Sequence, residues 1–172
     1  MTRYQLGKIV EWAGTLHSRK RMQKLVFLLQ AAGCPLDVDY DLHHYGPYSE
    51  DLARLTDLMV DERLLEERTE VRSYGEQYSY RLSPESIRQI AEYEASPKAS
   101  GPITPMAGFE ALARALCETD LKELEVAATI VFFRKQGYDW PVAVAKACQF
   151  KYLLPGAPIV KKTEELGRRI VG

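Results

Sequence analysis

The sequence has little of what several protein classes require. Its 172 residues carry a net charge of -1, so no overall positive field marks a nucleic-acid-binding protein. No stretch approaches the roughly 18 apolar residues that a membrane-spanning helix needs. Residues 1–10 alternate polar and apolar side chains and lack the apolar core of a signal peptide. We therefore expect a cytoplasmic protein that does not enter a membrane.

Residues that carry catalysis or bind metals are also scarce. The cysteines are Cys34, Cys117 and Cys148, and the histidines are His17, His43 and His44. The cysteines form no metal or redox motif, and an odd number without an export signal indicates reduced thiols. There is neither a glycine-rich phosphate loop nor a nucleophile elbow. We expect no catalytic residues, no metal and no cofactor, and an enzyme with an unrecognised site is the least favoured alternative.

The first part of the chain shows the element order of a winged helix-turn-helix. Hydrophobic spacing predicts helices over 4–13, 18–32 and 84–93, and a third helix in chain order that begins after Ser49 and includes Asp61; Ser18, Ser49 and Ser83 are the caps. Leu52, Leu55, Leu58 and Met59 are expected to face inward. A short alternating segment over 38–45 precedes a predicted turn at Gly46–Pro47. Alternating residues over 65–72 and 77–82, joined through 73–76, predict a β-hairpin, the wing.

The second part is predicted to be entirely helical. Helices are expected over 106–117, from a Thr119 cap to 136, over 141–150 and over 161–171. We thus predict a mostly helical α+β fold with a winged-helix domain over 1–94, a linker over 95–105 and a C-terminal helical unit over 106–172. Val126–Phe133 is apolar nearly all round, which predicts burial and leaves a homodimer through the C-terminal helices open.

Four cations occupy the first two turns of the second helix: Arg19, Lys20, Arg21 and Lys24. Cations at a helix N-terminus oppose the helix dipole, at a cost of about 0.3–1 kcal/mol each when exposed. A segment that goes against its local structural preference is often kept because it binds a partner. The free backbone N–H groups at a helix N-terminus can bind phosphate or acidic side chains. The alternative is that long, hydrated side chains make this cost trivial.

Tyr45 and Tyr48 flank the predicted turn at Gly46–Pro47. Clustered tyrosines on a turn serve as binding anchors in many interfaces. They also brace turns without any partner, and this simpler interpretation is preferred. Both tyrosines are nevertheless candidate binding residues.

The third helix would read DNA in an ordinary winged helix, but its predicted outer face is acidic. Glu50, Arg54, Asp57 and Asp61 share that face, and the carboxylates repel phosphate. On the hairpin, the candidate wing contacts to DNA are Arg68, Arg72 and Arg81. Residues 96–172 have a basic excess whereas residues 1–95 have an acidic one, so the C-terminal helices are the better candidate for contact with nucleic acid.

Two short motifs resemble a known group of proteins. QKLVFLLQ over 23–30, YGPYS over 45–49, and then Leu52 and Leu55 resemble the pattern of the YwgA-like proteins and of the Panacea-type antitoxin domain. The resemblance covers roughly residues 4–93. It implies a winged-helix-like fold and a regulatory role through binding a protein or DNA. Lys24 and residues 45–49 match shared positions, and no catalytic residues come with the resemblance.

The sequence therefore predicts a non-enzymatic regulator that binds a macromolecule. An antitoxin-like protein-interaction module is favoured, because the third helix is acidic and the net charge is close to zero. The alternative is a DNA-binding transcriptional regulator, which the element order, the basic start of the second helix and the hairpin arginines favour.

Overall fold

The computed structural model describes residues 1–72, 75–96 and 106–172, which form a mostly helical α+β fold with two small antiparallel sheets. The helices are α1 Arg3–Ala13, α2 Arg19–Ala31, α3 Glu50–Asp61, α4 Pro84–Glu94, α5 Glu110–Glu118, α6 Leu121–Lys135, α7 Trp140–Lys151 and α8 Pro158–Val171. The strands are β1 Leu16–His17, β2 Asp41–His43, β3 Gly46–Tyr48, β4 Leu65–Arg72 and β5 Gly75–Leu82.

The larger sheet has the strand order β1-β5-β4. β4 and β5 form a long hairpin in register from Leu65↔Leu82 to Arg72↔Gly75, and the two-residue β1 pairs with β5 through Leu16↔Tyr80. The smaller sheet is the β2–β3 hairpin, which we call the motif hairpin (residues 41–48). Residues 73 and 74 of the predicted wing turn, and 97–105 of the predicted linker, lie outside the described residues.

Serine caps begin three of the helices as the sequence predicts. The hydroxyls of Ser18, Ser49 and Ser83 each accept a hydrogen bond from the backbone N–H three residues later. Such a cap satisfies one of the free donors of the first turn. The predicted helices of the first part are confirmed to within two residues, and β5 begins at Gly75 rather than at 77.

Two C-terminal helices begin away from their predicted starts, α5 at Glu110 and not at 106 and α8 at Pro158 and not at 161, and three further local predictions are wrong. The turn of the motif hairpin is at residues 44–45, and Gly46 and Pro47 belong to β3, where a two-stranded edge tolerates a proline without an N–H. Leu58 is 42% exposed on α3 and does not face inward. Thr119 ends α5 and does not cap α6, because the Asp120 carboxylate accepts the N–H groups of residues 122 and 123.

One hydrophobic core runs through both parts of the chain. α6 packs on α2, α7, α8 and β3, and α5 packs on α1 and α2. The main cluster of buried residues includes Leu6 and Leu28 from the first part and Leu116, Leu124 and Val131 from the second. The division into two domains remains a prediction, although the two parts share this core.

The apolar circumference of α6 is covered within the chain. Its residues 126–131 are at most 3% exposed, because helices lie on several of its sides. The apolar surface of α6 that made a homodimer a possibility is therefore covered by other helices of the same chain. No helix of the described ranges is both long and apolar enough to cross a bilayer.

Candidate binding site beside the motif hairpin

Two glutamines on α2 hold the segment that carries the motif hairpin. The Gln23 side-chain amide donates to the Ser49 carbonyl and accepts from the Ser49 N–H, both at 2.9 Å. Two turns further along, Gln30 makes the same pair of bonds to Val38, both at 2.8 Å. An amide side chain offers one donor side and one acceptor side, so each glutamine satisfies both backbone groups of its partner. The segment is thereby fixed to α2 near both ends.

Lys24 lies beneath the motif hairpin. Its side chain is 1% exposed, and its Nζ donates to the Pro47 carbonyl at 2.7 Å. Burial lowers the pKa of Lys24 to about 8; the nearby Glu125 carboxylate opposes this decrease, whereas Lys151 and Lys20 add to it. Lys24 therefore holds the hairpin from below and does not reach solvent.

Gly46 brings the motif hairpin close to α6. It has φ +95°, and a Cβ there would lie 2.6 Å from Thr129 Oγ1 and 3.5 Å from the Glu125 carbonyl oxygen. Glycine alone combines this backbone conformation with this close approach. The two halves of the sequence motif thus form one hydrogen-bonded unit seated on α6.

Arg21 joins the start of α2 to the end of α5. Its Nη1 donates to the carbonyls of Cys117 at 3.0 Å and Thr119 at 2.6 Å, with Leu116 at 3.4 Å. These carbonyls end a helix, where the dipole favours a cation. The charge that is unfavourable on its own helix is therefore stabilised by another helix.

The other two cations of this segment also have partners. Arg19 pairs with Asp57 at 2.9 Å and Glu67 at 3.1 Å, and the Nζ of Lys20 lies 3.3 Å from the centre of the Tyr45 ring. All four predicted partner- or phosphate-binding cations, Arg19, Lys20, Arg21 and Lys24, thus contact groups of this chain. Whether any of them also binds a partner stays a prediction.

The two candidate tyrosines differ in exposure. Tyr48 is half-buried and stacks on His43, with ring centres 4.9 Å apart. Tyr45 is 53% exposed at the tip of the motif hairpin, next to His44. Tyr48 braces the hairpin, as the simpler interpretation of the sequence has it, whereas Tyr45 is available to a partner.

The candidate wing contacts are distributed along the β4–β5 hairpin. Arg68 is exposed on β4, while Arg81 on β5 pairs with Glu66 across the strands at 2.7 Å. The side chain of Arg72 lies outside what the structure describes. Arg19 at the start of α2 reaches the same hairpin through its ion pair with Glu67.

A pocket of about 250 Å³ opens beside the tip of the motif hairpin. We call it the hairpin pocket and define it by the side chains of His44, Tyr45, Lys122, Glu125, Lys151 and Tyr152, over an apolar wall of Val126, Phe150 and Leu153. Glu125 and Lys151 form an ion pair at 3.7 Å, and both are mostly buried. Burial lowers the pKa of Lys151, and the Glu125 carboxylate opposes that shift.

The hairpin pocket joins residues that the sequence prediction did not connect. Tyr45 was a candidate, but Lys122 and Tyr152 lie far along the chain in the C-terminal part. The only sequence signal for them is the basic excess after residue 95, which indicates a region and no particular residue. Gln23 stands in the quoted motif, yet its role appears only once Ser49 is placed beside it.

Burial disfavours the thiolate form of all three cysteines. Burial raises the pKa of Cys34 to about 11, and it also raises the pKa of Cys117 and of Cys148. A thiol needs a lowered pKa to react as the thiolate, so these three are better described as packing residues. Within the described ranges, no three His, Cys, Asp or Glu side chains lie close enough together to hold a metal ion.

Comparison with known proteins gives one partial match. The chain is 32% identical over 79 residues to the uncharacterized protein YwgA of Bacillus subtilis (strain 168), a stretch that covers 46% of this chain and 48% of that protein. The chain thus matches about half of that relative's length. No family model matches. The similarity supports the resemblance to YwgA-like proteins, and the antitoxin resemblance stays a prediction.

Proposed function

We propose that this protein is a non-enzymatic regulator of the winged-helix type that acts by binding a protein partner. The order α1, β1, α2, α3 and the β4–β5 hairpin, with β1 paired to β5, supports the winged-helix description. In that architecture α3 stands in the place of the helix that usually enters the DNA major groove.

The exposed face of α3 is the main reason to propose a protein partner and not DNA. Its exposed side chains are Glu50, Asp51, Arg54, Asp57, Leu58 and Asp61. Four carboxylates against one arginine repel a phosphate backbone, and Arg19 of α2 is already paired with Asp57. An exposed leucine among charges is suited to contact with another protein.

The non-enzymatic part of the proposal is supported by the surroundings of the amines and thiols in the described part of the chain. Lys24 and Lys151 are the described amines whose pKa is lowered as a catalytic amine requires, but Lys24 is only 1% exposed and the Lys151 ammonium is paired with Glu125. The raised thiol pKa values point in the same direction.

The test is an affinity capture of the tagged protein from its native host at moderate salt, with and without nuclease. We expect a discrete protein that remains bound after nuclease treatment. The double variant Asp51→Lys with Asp61→Lys should lose it, whereas Glu165→Lys, an exposed carboxylate on α8, should retain it.

A DNA-binding regulator is the second candidate, and the exposed Arg68 on the wing favours it. It predicts affinity for duplex DNA that falls by orders of magnitude between about 50 and 200 mM salt. It also predicts that the α3 charge reversal tightens this binding, since two phosphate-repelling groups become attractive. Bound material that disappears with nuclease would replace the first proposal with this one.

A further inference from the structure

The rim of the hairpin pocket presents apolar side chains to solvent. Tyr152 is 97% exposed and Tyr45 is 53% exposed; outside the pocket lining, Leu154, two residues after Tyr152, is 80% exposed. Single exposed apolar residues are ordinary on a protein surface, but a group of them beside a concave site marks an interaction surface. Aromatic residues are also the ones that dominate binding energy in interfaces.

Tyr152 is held in a conformation that favours glycine. It ends α7 with φ 53°, in the left-handed region, where its N–H bonds to the Cys148 and Gln149 carbonyls. Helices commonly end this way with glycine, and a bulky residue there costs free energy. Stability alone gives no reason for a nearly fully exposed tyrosine at this position, whereas a binding role does.

The charge around the pocket is positive and partly uncompensated. Lys122 is exposed, and its ammonium forms no hydrogen bond or ion pair with another described residue; outside the lining, Lys20 lies over the Tyr45 ring. Glu125, the carboxylate of the described lining, is already occupied by Lys151. A chain with a net charge of -1 therefore concentrates free positive charge here.

We propose that the hairpin pocket binds an acidic segment of a protein partner, with one apolar side chain of that segment inserted between Tyr45 and Tyr152. This inference rests on the proposed protein-binding function and adds a second contact surface to the exposed face of α3. At about 250 Å³ the pocket is smaller than ordinary small-molecule sites of roughly 300–1,000 Å³, but it accommodates a side chain. The wall of Val126, Phe150 and Leu153 suits an apolar group better than a phosphate.

The experiment measures the affinity of the full chain for a fluorescein-labelled peptide of glutamates around a central leucine, by fluorescence anisotropy at low salt. A matched peptide with lysines in place of the glutamates, and a short thymidine oligonucleotide, are measured in parallel. We expect saturable binding of the acidic peptide alone. Lys122→Glu and Tyr152→Ala should each weaken it at least tenfold.

Two control variants separate the pocket from the general surface. Lys161→Glu removes an exposed cation of α8, and Ile87→Ala removes an exposed apolar side chain of α4; neither should change the affinity by more than twofold. Lys122→Glu is expected to fold, because an acidic residue in the first turn of a helix is favoured by the dipole. Circular dichroism melting verifies this for every variant.

The inference is overturned if the acidic peptide shows no binding at millimolar concentration, or if Lys122→Glu and Lys161→Glu weaken it equally. Preferential binding of the oligonucleotide would overturn it in favour of a single-stranded nucleic-acid site. The proposed function fails separately. If host capture yields a nuclease-resistant partner that Lys122→Glu still retains, the function stands and this surface is wrong; if no partner is captured at all, the function fails whatever the peptide does.

Discussion

Arg21 and Lys24 of α2 and Lys122 of α6 all lie in the first two turns of a helix, but their surroundings differ. Arg21 is bonded to carbonyls that end α5, and Lys24 is bonded to Pro47 under the motif hairpin. Lys122, on the first turn of α6, has no such contact among the described residues. An unfavourable cation at a helix N-terminus therefore indicates a partner, but that partner can be another part of the same chain.

The largest expected effect comes from the contact between the motif hairpin and α6. Gly46→Ala should lower the free energy of unfolding by about 3 kcal/mol, because two costs add. The new methyl group would overlap Thr129 Oγ1, and alanine is strained at a positive φ. Gly33→Ala, at φ +101° with open space around it, should cost only about 1–2 kcal/mol. Urea unfolding of both variants isolates the effect of the contact.

A rescue variant tests the same contact from the other side. Thr129→Ala removes the atom that the new methyl group would meet, so the double variant should be less destabilised than the sum of the two single variants. Additive effects would show that the hairpin does not press on α6 at Gly46.

Burial of Lys24 predicts that stability rises with pH. Its pKa is about 8 in the folded state and about 10.5 in the unfolded state, so below pH 8 both states hold the proton. Between these values the unfolded state binds more protons, and the free energy of unfolding should increase by up to about 3 kcal/mol over the whole interval. Unfolding measured from pH 7.5 to 9.5 should show this increase.

Lys24→Met should flatten that pH dependence, since it removes the titrating group and retains an unbranched apolar side chain. The lowered pKa of Lys151 acts in the same direction, so the difference between the wild type and Lys24→Met is the quantity to compare. Equal slopes for the two proteins would place the Lys24 ammonium in water.

Loss of either glutamine contact should lower the free energy of unfolding by less than Gly46→Ala does, and the two losses should differ. Gln23→Ala leaves the buried N–H and carbonyl of Ser49 without partners and should cost about 2 kcal/mol. Gln30→Ala breaks the same pair of bonds, but Gln30 is only half-buried, so water can replace the amide and the change should cost about 1 kcal/mol. Thermal unfolding of both variants gives the order, and the reverse order would contradict this account.

The sequence predicted the elements better than the contacts between them. Hydrophobic period and serine caps depend on neighbours within four residues, and they placed the helices of the first part to within two residues. The partners of Arg21 lie 95 to 98 residues away along the chain, and no local pattern contains that information. Thr119 was assigned as a cap because threonine suits that role, whereas the adjacent Asp120 carboxylate is the actual cap.

For the same reason, the candidate site could be predicted only in part from the sequence. The motif that contains Lys24 and Tyr45 was visible in the sequence, and so was the basic excess after residue 95. The hairpin pocket depends on the seating of Gly46 on α6, which brings Tyr45 beside Tyr152. A glycine in a sequence motif usually indicates a turn. Here Gly46 instead allows the motif hairpin to approach α6 closely.

Equilibrium unfolding in urea of Arg21→Met beside Lys122→Met tests the central comparison most directly. We predict that Arg21→Met lowers the free energy of unfolding by about 2 kcal/mol, since it removes charge-assisted bonds between α2 and the end of α5. Lys122→Met should stay within about 0.5 kcal/mol of the wild type, as an exposed substitution without a lost contact does. Equal losses for the two variants, or none for Arg21→Met, would contradict the view that the basic start of α2 belongs to the fold and the hairpin pocket to a partner.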